Sequence, residues 1–361
     1  MRAETVGGVS IGMCVGRAWV AALTLSFASI SASSEAGRLV THDLKSDALR
    51  ENRMGISNVR RITVLIPDAY DRQHTRYPVV YYIPGFPGSG TRLLQRGLGA
   101  AIDNAGLPPT LTVLIDLDEG IVVLNSQEFG GWSDFFIDEL IPFIDRTYRT
   151  IRSPGGRAVI GASMGGLSAV ILSARHPGVW GSIGLNDGAA YYAGFYELHV
   201  GREGELPAGL QSDFQKVLSA WKSMPTGLEA YSSLQGEARF LVQLGLAISP
   251  NPATALRFDP PIDRDGNPVP AVLEKWRAYC FFDPLTIAKN KSALSHLTAI
   301  ALMVPDFRDE TDNAYQNAYW LDLMAAAGIA VTRIDMPGGH TDFPADRFVA
   351  LERAILTKSR R

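Results

Sequence analysis

Residues 157–175 read Arg-Ala-Val-Ile-Gly-Ala-Ser-Met-Gly-Gly-Leu-Ser-Ala-Val-Ile-Leu-Ser-Ala-Arg, and this stretch decides the architecture. Arg157 to Ile160 reads as a short β-strand, and the Ala- and Leu-rich run from Met164 to Arg175 as a helix. Between them lies Gly161-Ala162-Ser163-Met164-Gly165, a serine with one glycine two residues before it and another two after. In a sharp strand-to-helix turn such a serine takes a strained backbone conformation, and the glycines leave open the space that any Cβ would fill. The turn lifts the Ser163 Oγ out of the sheet. A helix that starts directly after it has unpaired first-turn N–H groups aimed at whatever the serine attacks, which makes the Met164 amide a candidate oxyanion donor.

Outward from this turn, short β-branched runs alternate with helical patterns. Strands are expected at Val59 to Ile66, Pro78 to Ile83, Leu111 to Asp116, Arg157 to Gly161, Gly181 to Leu185, Thr298 to Val304 and Val331 to Met336. Helices are expected at Arg92 to Asn104, Ser133 to Arg149, Met164 to Arg175, Ala314 to Ala327 and Arg347 to Lys358. That alternation predicts a mostly parallel central sheet covered by helices on both faces, the α/β-hydrolase fold that the glycine-flanked serine calls for. One domain over residues 37–361 accounts for the pattern. Within it, roughly residues 190–295 form an insertion too long for a plain connection, expected over the carboxyl edge of the sheet, where open α/β folds bind ligands. Inside the insertion, Asp263, Asp265 and Asn267 lack the later ligands of a calcium loop and are expected to form an ordinary turn.

The chain has 361 residues, of which 46% are hydrophobic, enough for a full-sized core. The formal net charge is -3 and no basic run stands out, which argues against nucleic acid as a partner. In residues 1–36, Arg17 precedes an apolar stretch from Ala18 to Ile30 and then small residues, the order of a cleaved secretory leader. At about 13 residues the stretch is shorter than the roughly 20 that span a bilayer, so no stable membrane insertion is expected. The expected location is secreted or periplasmic. Removal of the leader leaves Cys280 as the only cysteine, so no internal disulfide is expected.

A serine hydroxyl needs a base, in this architecture a histidine. The six candidates are His42, His74, His176, His199, His296 and His340. His176 lies on the same helix as the serine and about 20 Å away by helical rise. His42, His74 and His296 break the chain order serine, acid, histidine that the fold imposes. That leaves His340 and, in the insertion, His199; His340 is the expected base because it follows the last expected strand and Gly338-Gly339, a turn able to carry an imidazole over the sheet edge. The acid is expected in the loop after Thr298 to Val304, where Asp306, Asp309, Glu310 and Asp312 compete; Asp312 also suits a helix N-cap. A second oxyanion donor is expected from Pro84-Gly85-Phe86-Pro87-Gly88, with the Phe86 amide as the candidate. This chemistry calls for neither metal nor cofactor.

These residues together resemble the putative-esterase family, which includes S-formylglutathione hydrolases, feruloyl and acetyl-xylan esterases and the secreted mycolyltransferases. The resemblance rests on Tyr77-Pro78-Val79-Val80-Tyr81-Tyr82 leading to Gly85-Phe86, on Glu139 to Ile144 before Tyr148-Arg149, on the turn around Ser163 with Arg175-His176-Pro177, and on Gly338-Gly339-His340. It implies an ester hydrolase working through an acyl-enzyme on a small-molecule or carbohydrate ester, with Ser163 as nucleophile, His340 as base and the Phe86 and Met164 amides as oxyanion hole. Counted back from Ala327-Gly328-Ile329, it places the acid on Asp309. Two other readings use the same scaffold, a secreted acyltransferase and a carbohydrate-binding protein without turnover. Two departures from the family pattern stand out: Pro84 occupies a position where many members have His, and Asn186-Asp187 replaces a usual Ser-Gly. Both are expected to reshape the acyl pocket and leave the triad untouched.

Overall fold

A computed structural model describes residues 29–34, 37–86, 88–117, 122–188, 236–280, 293–306 and 312–356, together with residues 218, 219, 221, 222, 231 and 234. Its centre is a nine-stranded sheet of β1 (Ser29–Ser34), β2 (Gly37–Lys45), β3 (Val59–Ile66), β4 (Val79–Ile83), β5 (Leu111–Ile115), β6 (Arg157–Ala162), β7 (Ser182–Asn186), β8 (Ala299–Pro305) and β9 (Thr332–Met336). The spatial order is β1-β2-β3-β5-β4-β6-β7-β8-β9. From β5 to β9 every neighbouring pair is parallel, and β1, β2 and β3 add an antiparallel edge. The α/β-hydrolase architecture read from the sequence is the one observed.

The apolar runs of the inner strands follow from coverage on both faces. Side chains alternate across a strand, so Val79, Tyr81 and Ile83 join one core cluster while Val80 and Tyr82 join the other. The first cluster packs beneath α2 (Met164–Arg175), which is buried from Met164 to Ala174, and beneath the helix at Ile141–Thr147. The second packs against α1 (Leu98–Ala105) and α4 (Pro344–Leu356), through Leu98, Phe348, Leu351 and Ile355. Another helix, α3 (Asp312–Ala326), lies between β8 and β9 in the chain.

Three differences from the expected elements have local causes. The helix expected over Arg92 to Asn104 is two pieces, Arg92–Gln95 and α1, because Gly97 between them sits at φ 89, in left-handed backbone that ends one helix before the next starts. The helix expected from Ser133 widens into a π-helical stretch over Phe135–Leu140 before Ile141–Thr147; Pro142 there has no N–H to give the regular ladder. The end of the segment read as a leader, Ser29–Ser34, is an edge strand paired with β2 from Ser29↔Thr41 to Ser34↔Gly37.

Within the insertion, helices lie at Gly236–Ile248 and Pro270–Cys280. The first is held to the connection after β5 by Ser126 Oγ donating to the Leu246 carbonyl (3.2 Å), and the loop that follows it by the Arg257–Glu128 ion pair (2.6 Å). Asp263 forms the expected turn, accepting from the amides of Asp265 and Asn267 and from the Asn267 side chain.

Candidate active site

Ser163 stands between β6 and α2 at φ 51 and ψ −123, a left-handed conformation for a residue with a side chain. Such backbone costs on the order of 1–3 kcal/mol and persists only where the surroundings enforce it. Here the Ser163 N–H donates to the Asn186 carbonyl (2.9 Å) and the Gly166 N–H to the Ser163 carbonyl (2.8 Å). The flanking glycines are required by packing: a Cβ on Gly161 would stand 2.0 Å from the Gly165 carbonyl oxygen, and one on Gly165 2.2 Å from that of Ile83. The first turn of α2 thus lies directly on β4 and β6.

The loop after β4 comes equally close. A Cβ on Gly85 would be 2.9 Å from the Ser163 Cβ, and the Gly88 N–H closes the turn onto the Gly85 carbonyl (2.7 Å). Phe86 and Ser163 line one open cleft, with His340 on its wall. Met164 is the first residue of α2, where backbone amides have no acceptor inside the helix. The two expected oxyanion donors therefore come from segments that flank the serine.

His340 is carried by the loop after β9. Arg347 of α4, fully buried, donates to the carbonyls of Pro337 (3.3 Å), Gly339 (2.8 Å) and His340 (3.2 Å), and Asp342 accepts from the Gly339 N–H (2.9 Å). One guanidinium and one carboxylate so fix a glycine-rich turn that would otherwise be free to move. Burial lowers the Arg347 pKa, and the Asp187 and Asp342 carboxylates oppose that effect.

The partner of the imidazole is Asp187. Its Oδ2 meets the His340 Nδ1, while its Oδ1 accepts from Asn317 Nδ2 of α3 (2.5 Å). Asp187 directly follows β7, is fully buried, has φ 44, and is tied to β8 by its N–H donating to the Met303 carbonyl (3.0 Å). A carboxylate on Nδ1 keeps the ring proton there, which makes Nε2 the basic nitrogen of the ring. The expectation that Asn186-Asp187 leaves the triad untouched is therefore corrected: Asp187 touches His340, and Asn186 forms part of the cleft wall. Asp309, which the family resemblance selects as acid, lies outside the described residues, and Asp306 lines a separate groove with Asp335 and Met336. Asp187 obeys the chain order serine, acid, histidine. In the sequence its signal is an aspartate ending the apolar strand at Ser182 to Asn186, one strand before the loop where the acid is expected.

Two other histidines are engaged elsewhere. His42 Nε2 pairs with the Tyr148 hydroxyl (2.6 Å), and His176 Nε2 with the Ser133 hydroxyl (2.8 Å). Burial lowers both pKa values, which favours neutral, structural rings. No group of three or more metal-ligating side chains occurs among the described residues, and no described helix is long and apolar enough to cross a membrane.

The sheet, the strained serine after β6 and the histidine after β9 define a protein of the α/β-hydrolase fold. Residues 55–193 match the family described as putative esterase, so the resemblance read from the sequence holds over that segment. An esterase of Mycobacterium tuberculosis is 33% identical over 135 residues, which cover 36% of this chain and 29% of that protein. The chain thus matches under a third of that relative's length. Among solved structures, a ferulic acid esterase superposes with a TM-score of 0.56 at 16% identity, covering 89% of this chain and 98% of its own. An S-formylglutathione hydrolase from Agrobacterium tumefaciens gives 0.55 at 12% identity, covering 92% and 98%. At these identities the superpositions establish the fold.

Proposed function

We propose that this chain hydrolyses carboxylic esters through an acyl-enzyme, with Ser163 as nucleophile, His340 as general base and acid, and Asp187 as the carboxylate that orients His340. The observation that carries this reading is the shared cleft: a serine on a strained turn and an imidazole backed by a buried carboxylate face the same space. In the first step His340 Nε2 takes the Ser163 hydroxyl proton as Oγ bonds to the ester carbon, and negative charge gathers on the former carbonyl oxygen. The Phe86 and Met164 amides stabilise that oxyanion, each worth about 3 kcal/mol in the transition state. The tetrahedral intermediate expels the alcohol, which leaves with the proton from His340. Water then repeats the sequence on the acyl-serine, losing a proton to Nε2, and the acid departs as the serine recovers its own.

The match of residues 55–193 to an esterase family and the esterase named among the relatives support this class of reaction. Another relative is named a xylanase and feruloyl esterase, which favours carbohydrate or aryl esters as the substrates to try first. Export from the cytoplasm belongs to the same proposal, on the strength of Arg17 and the apolar stretch from Ala18 to Ile30. Turnover of 4-nitrophenyl acetate by the wild type, abolished in Ser163→Ala with the fold intact by circular dichroism, is the expected result. Equal turnover by Ser163→Ala would overturn the proposal.

A further inference from the structure

The cleft that holds Ser163 has two different walls. Tyr82, Pro84, Phe86 and Leu93 give it an apolar side, and Arg92 and Arg96 stand on its rim. Both arginines are exposed; Arg92 opens the short helix after the Gly85 turn and Arg96 caps its end, and the turn before them is held by Asp116 accepting from Ser89 Oγ (3.1 Å) and from the Thr91 N–H (3.2 Å). Among the described residues neither guanidinium has a hydrogen-bond or ion-pair partner. Several other arginines do have carboxylate partners: Arg38 pairs with Asp71, Arg53 and Arg257 with Glu128, Arg61 with Asp43, Arg157 with Asp145. Like charges four residues apart along a helical path repel, so this placement is unfavourable without an anion between them. The whole chain carries a formal charge of -3, and the positive rim is a local feature of this one cleft. No described residue of the 190–295 insertion lines the cleft.

We infer that the substrate is an ester bearing an acidic group, a carboxylate or a phosphate, held by Arg92 and Arg96 while the ester carbonyl lies at Ser163. The inference rests on the ester-hydrolase reading and narrows it to anionic esters. Guanidinium groups suit such an anion because their planar N–H donors match two oxygens at once. The anion can sit on the acid or the alcohol side of the ester, and two matched pairs separate these. The acyl pair is mono-4-nitrophenyl adipate against 4-nitrophenyl hexanoate. The alcohol pair is (4-acetoxyphenyl)acetic acid against its methyl ester.

At low ionic strength the acidic member of at least one pair is expected to have about tenfold higher kcat/KM, the order of one charged hydrogen bond. That ratio is expected to fall toward one in Arg92→Gln/Arg96→Gln and to be kept in Arg92→Lys/Arg96→Lys. Neutral esters favoured in both pairs, or a ratio unchanged in the glutamine variant, would overturn the inference. Turnover of neutral esters without preference defeats this inference alone, whereas no turnover of any of the four esters defeats the hydrolase reading with it.

Discussion

Asp187→Asn isolates the electrostatic part of the candidate triad. Asparagine has the same shape and tolerates the positive φ that Asp187 adopts, so the backbone at the end of β7 need not change. Its carbonyl oxygen can still accept from Asn317 Nδ2. What disappears is the full negative charge against His340 Nδ1, at a side chain with no solvent exposure. A hydrogen bond to a charged group is worth about 1.5–3 kcal/mol, or roughly 10- to 150-fold in rate. The amide also turns its N–H toward Nδ1, which favours the tautomer with the proton on Nε2, where the base must be empty; an aspartate-to-asparagine change in a serine-protease triad lowers kcat by about 10⁴. A fall in kcat of about 10³ to 10⁴ on 4-nitrophenyl acetate at neutral pH is therefore expected, with a melting temperature within a few degrees of wild type. Asp309→Asn, measured beside it, is expected to stay within about tenfold of wild type, because the place on Nδ1 is taken. An Asp187→Asn enzyme within about threefold of wild type, with Asp309→Asn severely impaired, would refute this assignment and restore the acid to the loop after β8.

Three further outcomes follow from other contacts. Arg347→Met leaves the carbonyls of Pro337, Gly339 and His340 without their common donor, and is expected to lower stability by about 3 kcal/mol in urea titration and to reduce kcat more than it raises KM. Gly165→Ala puts a methyl group 2.2 Å from the Ile83 carbonyl oxygen, so loss of soluble, active protein is expected while Gly155→Ala, whose Cβ meets nothing within 4 Å, behaves as wild type. Burial pushes the Glu352 carboxyl from its ordinary 4.5 up to about 7, opposed by the Thr110 hydroxyl. Because the folded state holds this proton more tightly than the unfolded one, its contribution is complete below about pH 4.5 and is lost as pH rises to about 7, a swing of about 3 kcal/mol. Glu352→Gln, which cannot ionise, is expected to flatten that part of the stability curve and to melt higher than wild type at pH 8; an unchanged curve would contradict it.

The order in which fold and site became legible follows from how local each signal is. Inner strands such as Val79–Ile83 and Leu111–Ile115 are buried on both faces, and an uninterrupted apolar run marks them in the sequence. The turn at Ser163 is equally plain because steric exclusion allows only glycine at 161 and 165. The edge strands β1 and β2 were hidden for the opposite reason. Their pairing is set by each other and by β3, across a stretch whose composition passes for the end of a leader. The partner of His340 is hard to read from the sequence because an aspartate at a strand end looks like any loop residue, and only the three-dimensional approach of β7, α3 and the His340 loop brings Asp187 to the ring. Arg92 and Arg96 likewise look like ordinary surface charges until the turn at Gly97 and the anchored loop before them bring both to the mouth of the cleft.

The most direct test of the account is covalent. After incubation with a fluorophosphonate, intact-mass and peptide analysis should find one phosphonyl group per chain, on the peptide that contains Ser163, and none in Ser163→Ala; His340→Ala should label far more slowly. An unmodified chain, or the same adduct mass on both the wild type and Ser163→Ala, would contradict the claim that this serine and this histidine work together.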